Sequence, residues 1–332
     1  MQGQGLPGFR DFYPEDAVLR NRIFTAWRTV AGRYGFEEYD GPPLEPLELY
    51  TQKSGAEIVG QLYEFTDKGD RRVALRPEMT PTLARMVAAR ASALKKPIRW
   101  FSMPQLFRYE RQQRGRLREH FQLNMDLIGE PGPLADAEII AAATDVMRTL
   151  NLGPTQVRVR LSDRRVLSAL LAAAGVPAED LLATFVAVDR SERHKQPLEL
   201  VEESLPHLTR DRAAVAARVL EIAQIRGWPA LDEALGKMDR GAEVAADLFA
   251  CRDALGSMGL GEFLDLDLSI VRGLAYYTGV VFELFDAGRS LRAICGGGRY
   301  DGLLKALGGV DLPAVGFGMG DVVLGELVKG TG

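Results

Sequence analysis

The densest run of chemically active side chains lies between Phe107 and Glu119, where the sequence reads FRYERQQRGRLRE. Five arginines fall between positions 108 and 118, and Gly115 suits a turn between two strands. Guanidinium groups keep their charge and match phosphate oxygens in geometry. The run therefore predicts a β-hairpin that directs arginines toward a polyphosphate. A solvated, arginine-rich loop is the alternative explanation of the same residues.

Three further segments combine polar side chains with glycine or a helix start. The segment 272–279 reads RGLAYYTG and is consistent with a polar pocket or with an edge strand. The segment 295–302 reads CGGGRYDG, and its glycines allow a ligand to approach the backbone, although a tightly packed turn is the commoner cause. The segment 76–80, RPEMT, places a carboxylate and a hydroxyl at a strand-to-helix junction, where they could also serve as a helix cap.

The elements that position these segments alternate between helix and strand in the first part of the chain. Apolar periodicity predicts helices over 15–34 and 80–94, with Thr80 as a cap before Pro81. Alternation and turn residues predict strands over 36–40, 62–67, 72–76, 98–103, 105–110 and 120–128. The stretch from 163 to 259 is rich in Ala, Leu, Glu and Arg and has broken helical periods. It indicates a helical module between two strand-rich parts.

Composition limits the classes of protein that the chain could be. Its 332 residues are 46% hydrophobic, which suits roughly two globular domains and excludes a disordered or collagen-like protein. Two cysteines and three scattered histidines lack the spacing of a disulfide framework or a zinc site, so we expect no metal site. A net charge of −4 argues against bulk nucleic-acid binding. The longest apolar stretch, 166–176, is too short to span a bilayer, so we expect a cytoplasmic protein without a membrane partner.

In order and spacing, these segments resemble the catalytic core of histidyl-tRNA synthetases, which are class II aminoacyl-tRNA synthetases. The resemblance covers nearly the whole chain, from GLPGFRDFYP at 5–14 to VGFGMG at 315–320. The matching parts are 54–59 with 62–65 after motif 1, 107–119 as motif 2, and 272–277 and 295–302 as the two histidine-specific signatures.

The resemblance implies an α+β fold in which an antiparallel sheet is flanked by helices. The core would comprise 1–162 and 260–332, with 163–259 as a helical insertion, and motif 1 at 37–47 would pair two chains into a homodimer. The implied reaction joins histidine and ATP, with Mg²⁺, to give histidyl-adenylate and pyrophosphate. Histidine is then transferred to the acceptor end of a tRNA.

The resemblance also assigns roles to individual residues. Arg108 would hold the α-phosphate of ATP, and Arg272 would stabilise it from the other side. The further residues that would bind ATP are Glu110, Arg116 and Phe121. The residues that would bind histidine are Glu78, Thr80 and Gln122 at its ammonium and carboxylate, Asp126 and Tyr277 at its imidazole, and Tyr276. We expect the two arginines on facing strands, and a cavity sized for one histidine lined by Glu78, Gln122, Asp126 and Tyr277.

Several features depart from the family pattern. Ala275 stands where the family often has Asp, and Asp126 where it often has Glu. The segment 320–323, GDVV, lacks the motif 3 arginine that clamps the γ-phosphate of ATP. Because the resemblance ends at the motif 3 helix, we expect no C-terminal anticodon-binding domain.

A second function is compatible with the same resemblance. The regulatory subunit of ATP phosphoribosyltransferase is a synthetase paralogue that lacks the anticodon-binding domain, senses histidine and docks on a short transferase chain. That regulator generally loses motif 2 and the first signature, whereas both are intact here, including Glu110, Arg111 and Arg116. We therefore favour the synthetase. A paralogue that activates an amino acid for an acceptor other than tRNA is a third interpretation.

Overall fold

The computed structural model of the chain describes residues 5–51, 59–111, 115–272, 276–288 and 290–330. Ala275, Arg114 and residues 54–58, all part of the motifs above, lie outside these ranges. None of the helices within them is long and apolar enough to cross a membrane.

Two sheets form the framework of the fold. The strands are β1 Glu37–Glu38, β2 Leu44–Pro46, β3 Tyr63–Thr66, β4 Arg72–Leu75, β5 Ile98–Ser102, β6 Gln105–Phe107, β7 Glu119–Ile128, β8 Val157–Asp163, β9 Leu264–Leu266, β10 Val280–Asp286, β11 Cys295–Arg299 and β12 Ala314–Gly320. The larger sheet has the order β1-β5-β7-β12-β11-β10-β8-β9, and β6 pairs with β7 as a hairpin. Adjacent strands in this sheet are antiparallel, except that β1 is parallel to β5 and β8 is parallel to β9. The smaller antiparallel sheet has the order β2-β4-β3.

Helices flank the larger sheet, which confirms the α+β class expected from the sequence. They are α1 Pro14–Arg33, α2 Glu48–Thr51, α3 Thr80–Arg90, α4 Pro133–Thr149, α5 Arg164–Ala173, α6 Leu181–Ser191, α7 Pro197–Glu203, α8 Arg212–Ala223, α9 Trp228–Gly236, α10 Gly241–Val244, α11 Ala246–Ser257, α12 Leu303–Gly308 and α13 Asp321–Lys329. Helix α1 begins at a proline, with Glu15 and Asp16 in its first turn, and ends just before Gly35. Acidic residues at the N-terminus complement the helix dipole, and Gly35 has the positive φ of 71° that often follows a helix.

Alternation along β7 separates the hydrophobic core from the polar face of the sheet. Leu123, Met125 and Leu127 are fully buried in the core that the sheet shares with α1 and α4. Successive side chains of a strand point to opposite faces. His120 and Gln122 therefore lie on the other face, where they line a cavity.

The helical stretch 163–259 packs as two units. Helices α5 to α8 enclose a core of their own, which includes Leu167, Phe185, Val201 and Val219. Helices α9 and α11 instead contribute residues such as Leu248 to the main core. The stretch is thus mainly helical, as its composition indicates, while the boundaries of the insertion at 163 and 259 stay a prediction.

Three local predictions about elements are wrong. The strand expected over 105–110 ends at Phe107. The Arg108 amide still donates to the Arg118 carbonyl, but a loop follows instead of further hydrogen bonds with β7. Thr80 is the first residue of α3 and not its cap, since Met79 holds the cap position and no side chain bonds the free amides there. The same helix ends at Arg90, four residues earlier than its apolar period suggests.

Arg10 joins the N-terminal segment to the starts of β7 and α13. Its guanidinium donates to the Glu119 carboxylate, with Nε–Oε1 at 2.6 Å, and to the Asp321 carboxylate, with Nη1–Oδ2 at 2.8 Å. Glu119 also accepts from the Gln105 amide at 2.9 Å, and Asp321 from the Phe121 backbone amide at 2.9 Å. Both carboxylates are buried, at 0% and 4% exposure. Arg10 therefore bridges two buried charges where the hairpin meets the last helix.

Replacing Arg10 with Met should lower the free energy of unfolding by about 3–5 kcal/mol, because a buried carboxylate that loses its cation stays desolvated and uncompensated. Urea unfolding at neutral pH, followed by circular dichroism, measures the change. Arg28→Met is the control, since Arg28 pairs with Glu38 between exposed side chains, where an ion pair contributes at most about 1 kcal/mol. Equal unfolding midpoints for the two variants would contradict the bridging role of Arg10.

Candidate active site

A cavity of about 670 Å³ lies over the polar face of the larger sheet. The β6–β7 loop, β7, β10, β11, the start of α13 and the end of α6 line it. The arginines that line it are Arg108, Arg116, Arg160, Arg193, Arg272 and Arg292. The carboxylates among its described lining residues are Glu110, Asp189, Glu192 and Glu283. Arginines outnumber carboxylates at this wall, so the cavity favours an anionic ligand.

The β6–β7 loop places Arg108 and Arg116 at the cavity through specific contacts. The Arg108 Nε donates to the Pro77 carbonyl at 2.9 Å, which ties the loop to the junction before α3. The Arg116 Nη2 donates to Glu110 Oε1 at 2.7 Å, and Glu110 is buried. These anchors argue against a loop that is merely solvated.

Arg272 reaches the same cavity from the segment between β9 and β10. Its Nη1 donates to the Glu283 carboxylate on β10 at 2.9 Å, and its Cζ lies 5.7 Å from the centre of the Tyr277 ring. Burial by itself lowers the pKa of Arg272, whereas Tyr277 and Glu283 raise it by a larger amount. The net pKa is therefore raised, and the guanidinium stays charged. Arg108 and Arg272 therefore line one cavity, although both lie on loops where we expected facing strands.

Glycines of β11 and β12 form the floor on which these side chains lie. Gly296 pairs with Gly318, and Gly298 with Gly316, across the two antiparallel strands. A Cβ atom at positions 296, 316 and 318 would collide, in that order, with the side chains of Arg272, Asp126 and Gln122. At position 298 it would collide with the Val280 carbonyl and lie 3.0 Å from the Tyr277 ring. The glycine run of the sequence is therefore explained by the close approach of predicted site residues, and not by a tight turn alone.

The imidazole-binding residues expected from the resemblance form a buried cluster beside the cavity. The Tyr300 hydroxyl donates to Asp126, and burial raises the pKa of Asp126 to about 7 while that hydrogen bond lowers it in part. The Tyr276 ring lies 6.0 Å from the Tyr300 ring and 4.8 Å from the Tyr277 ring, measured between centroids. Burial, followed by Tyr277 and Glu78, raises the pKa of Tyr276, which places the Glu78 carboxylate near the cluster.

Only part of the expected histidine site lines the cavity itself. Gln122 lines it, whereas Glu78, Asp126 and Tyr277, which we expected at the same wall, lie outside its lining. The reason is that Arg272 contacts both the cavity and the Tyr277 ring and so lies between the two. Thr80, at the start of α3, is half-buried and is also absent from the lining.

Phe121, for which an ATP contact is expected, is absent from the described lining of the cavity and packs against aromatic rings. Its ring lies 6.0 Å from the ring of Phe12 and 5.1 Å from that of Phe24 in α1. Because adjacent residues of a strand point to opposite faces, Gln122 faces the cavity and Phe121 packs under α1. Phe121 is a packing residue here.

His120 and Glu283 are among the described cavity residues that the sequence analysis did not name. His120 lies two residues before Gln122 on the same face of β7, and burial together with neighbouring arginines, led by Arg108, lowers its pKa to about 3. The imidazole is therefore neutral and offers hydrogen bonds without charge. Glu283, the partner of Arg272, is the lone acid in the apolar run VVFEL, and that isolation was the available signal.

A magnesium ion fits this site as a companion of a nucleotide. No group of three His, Cys, Asp or Glu side chains within the described ranges could hold a metal ion. The cavity carboxylates Glu110 and Glu283 bond Arg116 and Arg272, respectively. Mg²⁺ often binds through substrate phosphates with few protein carboxylates. The ion would then be bound chiefly through the phosphates of the nucleotide.

Arg108, Arg272, the tyrosine cluster and the glycine floor all lie within the part of the chain that matches a known family. The model of the histidyl-tRNA synthetase family matches residues 8–320, which is most of the chain. The chain belongs to the histidyl-tRNA synthetase family. The resemblance inferred from the sequence motifs is thereby confirmed.

Individual members of the histidyl-tRNA synthetase family match the chain along nearly its full length. The histidine-tRNA ligase of Opitutus terrae is 50% identical over 333 residues, covering 99% of this chain and 75% of the relative. The chloroplastic and mitochondrial histidine-tRNA ligase of Arabidopsis thaliana is 43% identical over 322 residues, covering 97% of this chain and 65% of the relative.

A solved structure confirms the class II synthetase fold. It is described as an ATP phosphoribosyltransferase regulatory subunit/histidyl-tRNA synthetase from Bacillus halodurans. It superposes with a TM-score of 0.83 at 26% identity, covering 99% of this chain and 84% of that one. The architecture of this chain is therefore that of histidyl-tRNA synthetases.

Asp126 should make stability depend on pH in a defined direction. Its pKa in the folded state, about 7, lies above the ordinary value of 3.8, so the folded chain binds more protons than the unfolded chain between these limits. Stability contributed by the protonated carboxyl is present below about pH 4 and is lost as the pH rises to about 7. Asp126→Asn should therefore show a smaller fall in unfolding free energy over this range than the unsubstituted chain.

Urea unfolding midpoints at half-unit pH steps measure this difference. The exposed Asp253, which bonds the neighbouring Arg252, supplies the control variant Asp253→Asn, which should keep the original pH dependence. Identical pH profiles for Asp126→Asn and the unsubstituted chain would show that Asp126 is ionised in the folded state.

Proposed function

We propose that this chain acts as a histidine-tRNA ligase: it joins histidine to ATP as histidyl-adenylate, releases pyrophosphate and transfers histidine to tRNA. The observation that carries the proposal is that Arg108 and Arg272, from segments far apart in sequence, line one cavity beside the Asp126 cluster. Relatives named histidine-tRNA ligase, at up to 50% identity, support it. The reaction would take place in the cytoplasm.

The two arginines supply what the first step requires. The histidine carboxylate attacks the α-phosphorus of ATP, the bond from that phosphorus to the bridging oxygen breaks, and pyrophosphate leaves. Negative charge on the phosphoryl oxygens is stabilised when fixed cations already point at them. Arg108, fixed by the Pro77 carbonyl, and Arg272, fixed by Glu283, would act on this charge from two sides. Mg²⁺ would neutralise part of the triphosphate charge.

The buried cluster suits recognition of an imidazole. Tyr300 occupies one side of the Asp126 carboxylate, which leaves acceptor capacity for a ring N–H. The Tyr277 hydroxyl would form a hydrogen bond with the second ring nitrogen. The centroid of the Tyr276 ring lies 4.8 Å from that of the Tyr277 ring. Gln122 would lie between the imidazole ring and the phosphate, because it lines the cavity and lies on the same face of β7 as Asp126.

The remaining substrate contacts follow from the residues around this cluster. Glu78 would receive the substrate ammonium, with Thr80 beside it at the start of α3. Arg116, held by Glu110, would bind the phosphates of ATP beyond the α-position. Val322 and Val323 line the cavity where the family often places the motif 3 arginine, so the loop arginines would carry more of this charge.

We also propose a homodimer through residues 37–47. Strand β1 is the first strand of the larger sheet and β2 is an edge of the smaller one, and both are largely exposed. Exposed edges favour pairing with another chain, and the prolines at 42, 43 and 46 limit how far such pairing extends. Light scattering after size exclusion should give twice the chain mass at micromolar concentration. A monomer at that concentration would contradict the proposal.

The regulatory-subunit alternative is supported by the description of the Bacillus halodurans structure, which names both functions. The ligase is better supported, because curated relatives between 41% and 50% identical carry that name. The alternative makes a distinct prediction: histidine binds, no pyrophosphate exchange occurs, and a short ATP phosphoribosyltransferase chain forms a complex with this one.

Histidine-dependent exchange of radiolabelled pyrophosphate into ATP tests the proposed reaction. We expect exchange by the purified chain and a loss of about 10²–10³-fold in Arg272→Ala, the usual effect of removing one group that stabilises transition-state charge. Arg240→Ala, at an exposed surface pair with Glu243, should exchange normally. Histidine binding without any exchange in the unsubstituted chain would overturn the ligase proposal in favour of the regulator.

Gly296→Ala should lower exchange by up to the 10²–10³-fold expected for Arg272→Ala, while the chain still folds. Its Cβ would collide with the Arg272 guanidinium, which is the flexible end of a side chain and can move away from the phosphate site. Gly256→Ala in α11 meets no atom within 4 Å and should be neutral. Unfolding midpoints of the two variants establish that the loss is local. Normal exchange by Gly296→Ala would show that the position of Arg272 does not matter.

A further inference from the structure

Arg272 has a backbone conformation that the surrounding structure must enforce. Its φ is 53°, in the left-handed region that a residue with a Cβ rarely adopts. That conformation costs about 1–2 kcal/mol in a non-glycine residue and persists where neighbouring contacts determine it. Neighbouring groups must therefore hold the backbone of this proposed catalytic residue in the left-handed conformation.

The backbone carbonyl of Arg272 is held by Arg164. The Arg164 Nη2 donates to this carbonyl at 3.0 Å, and Arg164 itself is 5% exposed. A hydrogen bond from a charged donor is roughly twice as strong as a neutral one. Burial lowers the pKa of Arg164 to about 10, which still leaves it charged at neutral pH. The contact therefore fixes the peptide group on the C-terminal side of Arg272.

Arg164 is in turn fixed by three elements. It is the first residue of α5, and its amide donates to the Gly279 carbonyl just before β10 at 3.0 Å. Its guanidinium lies over the ring of Phe185 in α6, with Cζ 4.2 Å from the ring centre. One helical turn after Phe185, burial raises the pKa of the Asp189 carboxyl, while the charges of Arg193, Arg272 and Arg164 lower it in part. The helices α5 and α6 thus form a rigid support for the Arg272 backbone.

We propose that Arg164 is a positioning residue for Arg272: it holds the left-handed backbone of Arg272 through the carbonyl bond and thereby aims the guanidinium into the cavity. The proposal rests on the proposed function for its catalytic consequence, because Arg272 acts on substrate only there. Without the bond, the backbone relaxes toward the right-handed or extended region. The guanidinium then leaves its place over Gly296 and beside Glu283.

A double-mutant cycle in the exchange assay tests the consequence. Arg164→Met, which keeps the side-chain stem and removes the donor, should lower kcat about tenfold or more with little change in the KM for histidine. In an Arg272→Ala background, the same change should have no further effect, because its only route to the reaction is gone. Equal losses in both backgrounds would overturn the positioning role. Arg164→Lys keeps a charged donor and should recover part of kcat.

Arg165 supplies the matched control for the cycle. It is the next residue of α5 and also makes ion pairs, with the buried Asp163 and the exposed Asp247 rather than with the Arg272 carbonyl. Any loss in Arg165→Met should therefore combine additively with Arg272→Ala. If the loss in Arg164→Met also adds fully to that in Arg272→Ala, Arg164 has only a general structural role.

A crystal structure of Arg164→Met separates this inference from the proposed function. We expect Arg272 to leave the left-handed region, with its Nη1 no longer bonded to Glu283, whether or not the chain has exchange activity. An unchanged Arg272 backbone would overturn the inference even in an active enzyme. If the unsubstituted chain shows no exchange, the ligase proposal fails, and this structure still decides whether Arg164 holds Arg272. Should Arg164→Met not crystallise, Phe185→Leu, which removes the ring beneath the guanidinium, is expected to shift Arg272 in the same way.

Discussion

The site depends on a space constraint in two neighbouring strands. Gly296 and Gly298 of β11 face Gly318 and Gly316 of β12, so this part of the sheet carries no side chains on its polar face. The side chains that lie over it come from two other segments of the chain, β7 and the segment before β10, and a Cβ atom on one of these glycines would approach each of them to 3.0 Å or less. On most sheets, the side chains keep other groups away from the backbone. Here the groups that we propose bind substrate lie directly on the backbone, which brings the residues proposed for the phosphate and for the imidazole close together.

Charge is arranged in layers around that floor. Nearest the cavity, Glu283 and Glu110 each hold an arginine without removing the excess of positive charge in the lining. Behind the hairpin, Arg10 balances two buried carboxylates and joins β7 to α13. Because buried charges are costly unless paired, this outer layer holds the start of β7 next to the start of α13. The helices α5 and α6 add a third support, which acts on the backbone of Arg272 rather than on its side chain.

The sequence identifies the residues of this site better than their arrangement. The arginine run, the paired tyrosines and the glycine run are local patterns, so they are visible without a structure. The face on which the Phe121 side chain lies depends on the phase of β7, which local pattern alone left unassigned, and in the structure its ring packs against Phe24. The left-handed backbone of Arg272 and its contact with Arg164, 108 residues away, arise from tertiary packing. No periodicity or spacing in the chain encodes such a long-range contact.

The central claim is that one arrangement over the glycine floor holds histidine and the α-phosphate of ATP together. A crystal structure with a non-hydrolysable histidyl-adenylate analogue, the sulfamoyl derivative, tests it most directly. The account predicts the sulfamoyl group between the guanidinium groups of Arg108 and Arg272, and the imidazole within hydrogen-bond distance of Asp126. An analogue bound with its imidazole outside the Asp126 cluster, or with its sulfamoyl group contacting neither arginine, would contradict the account.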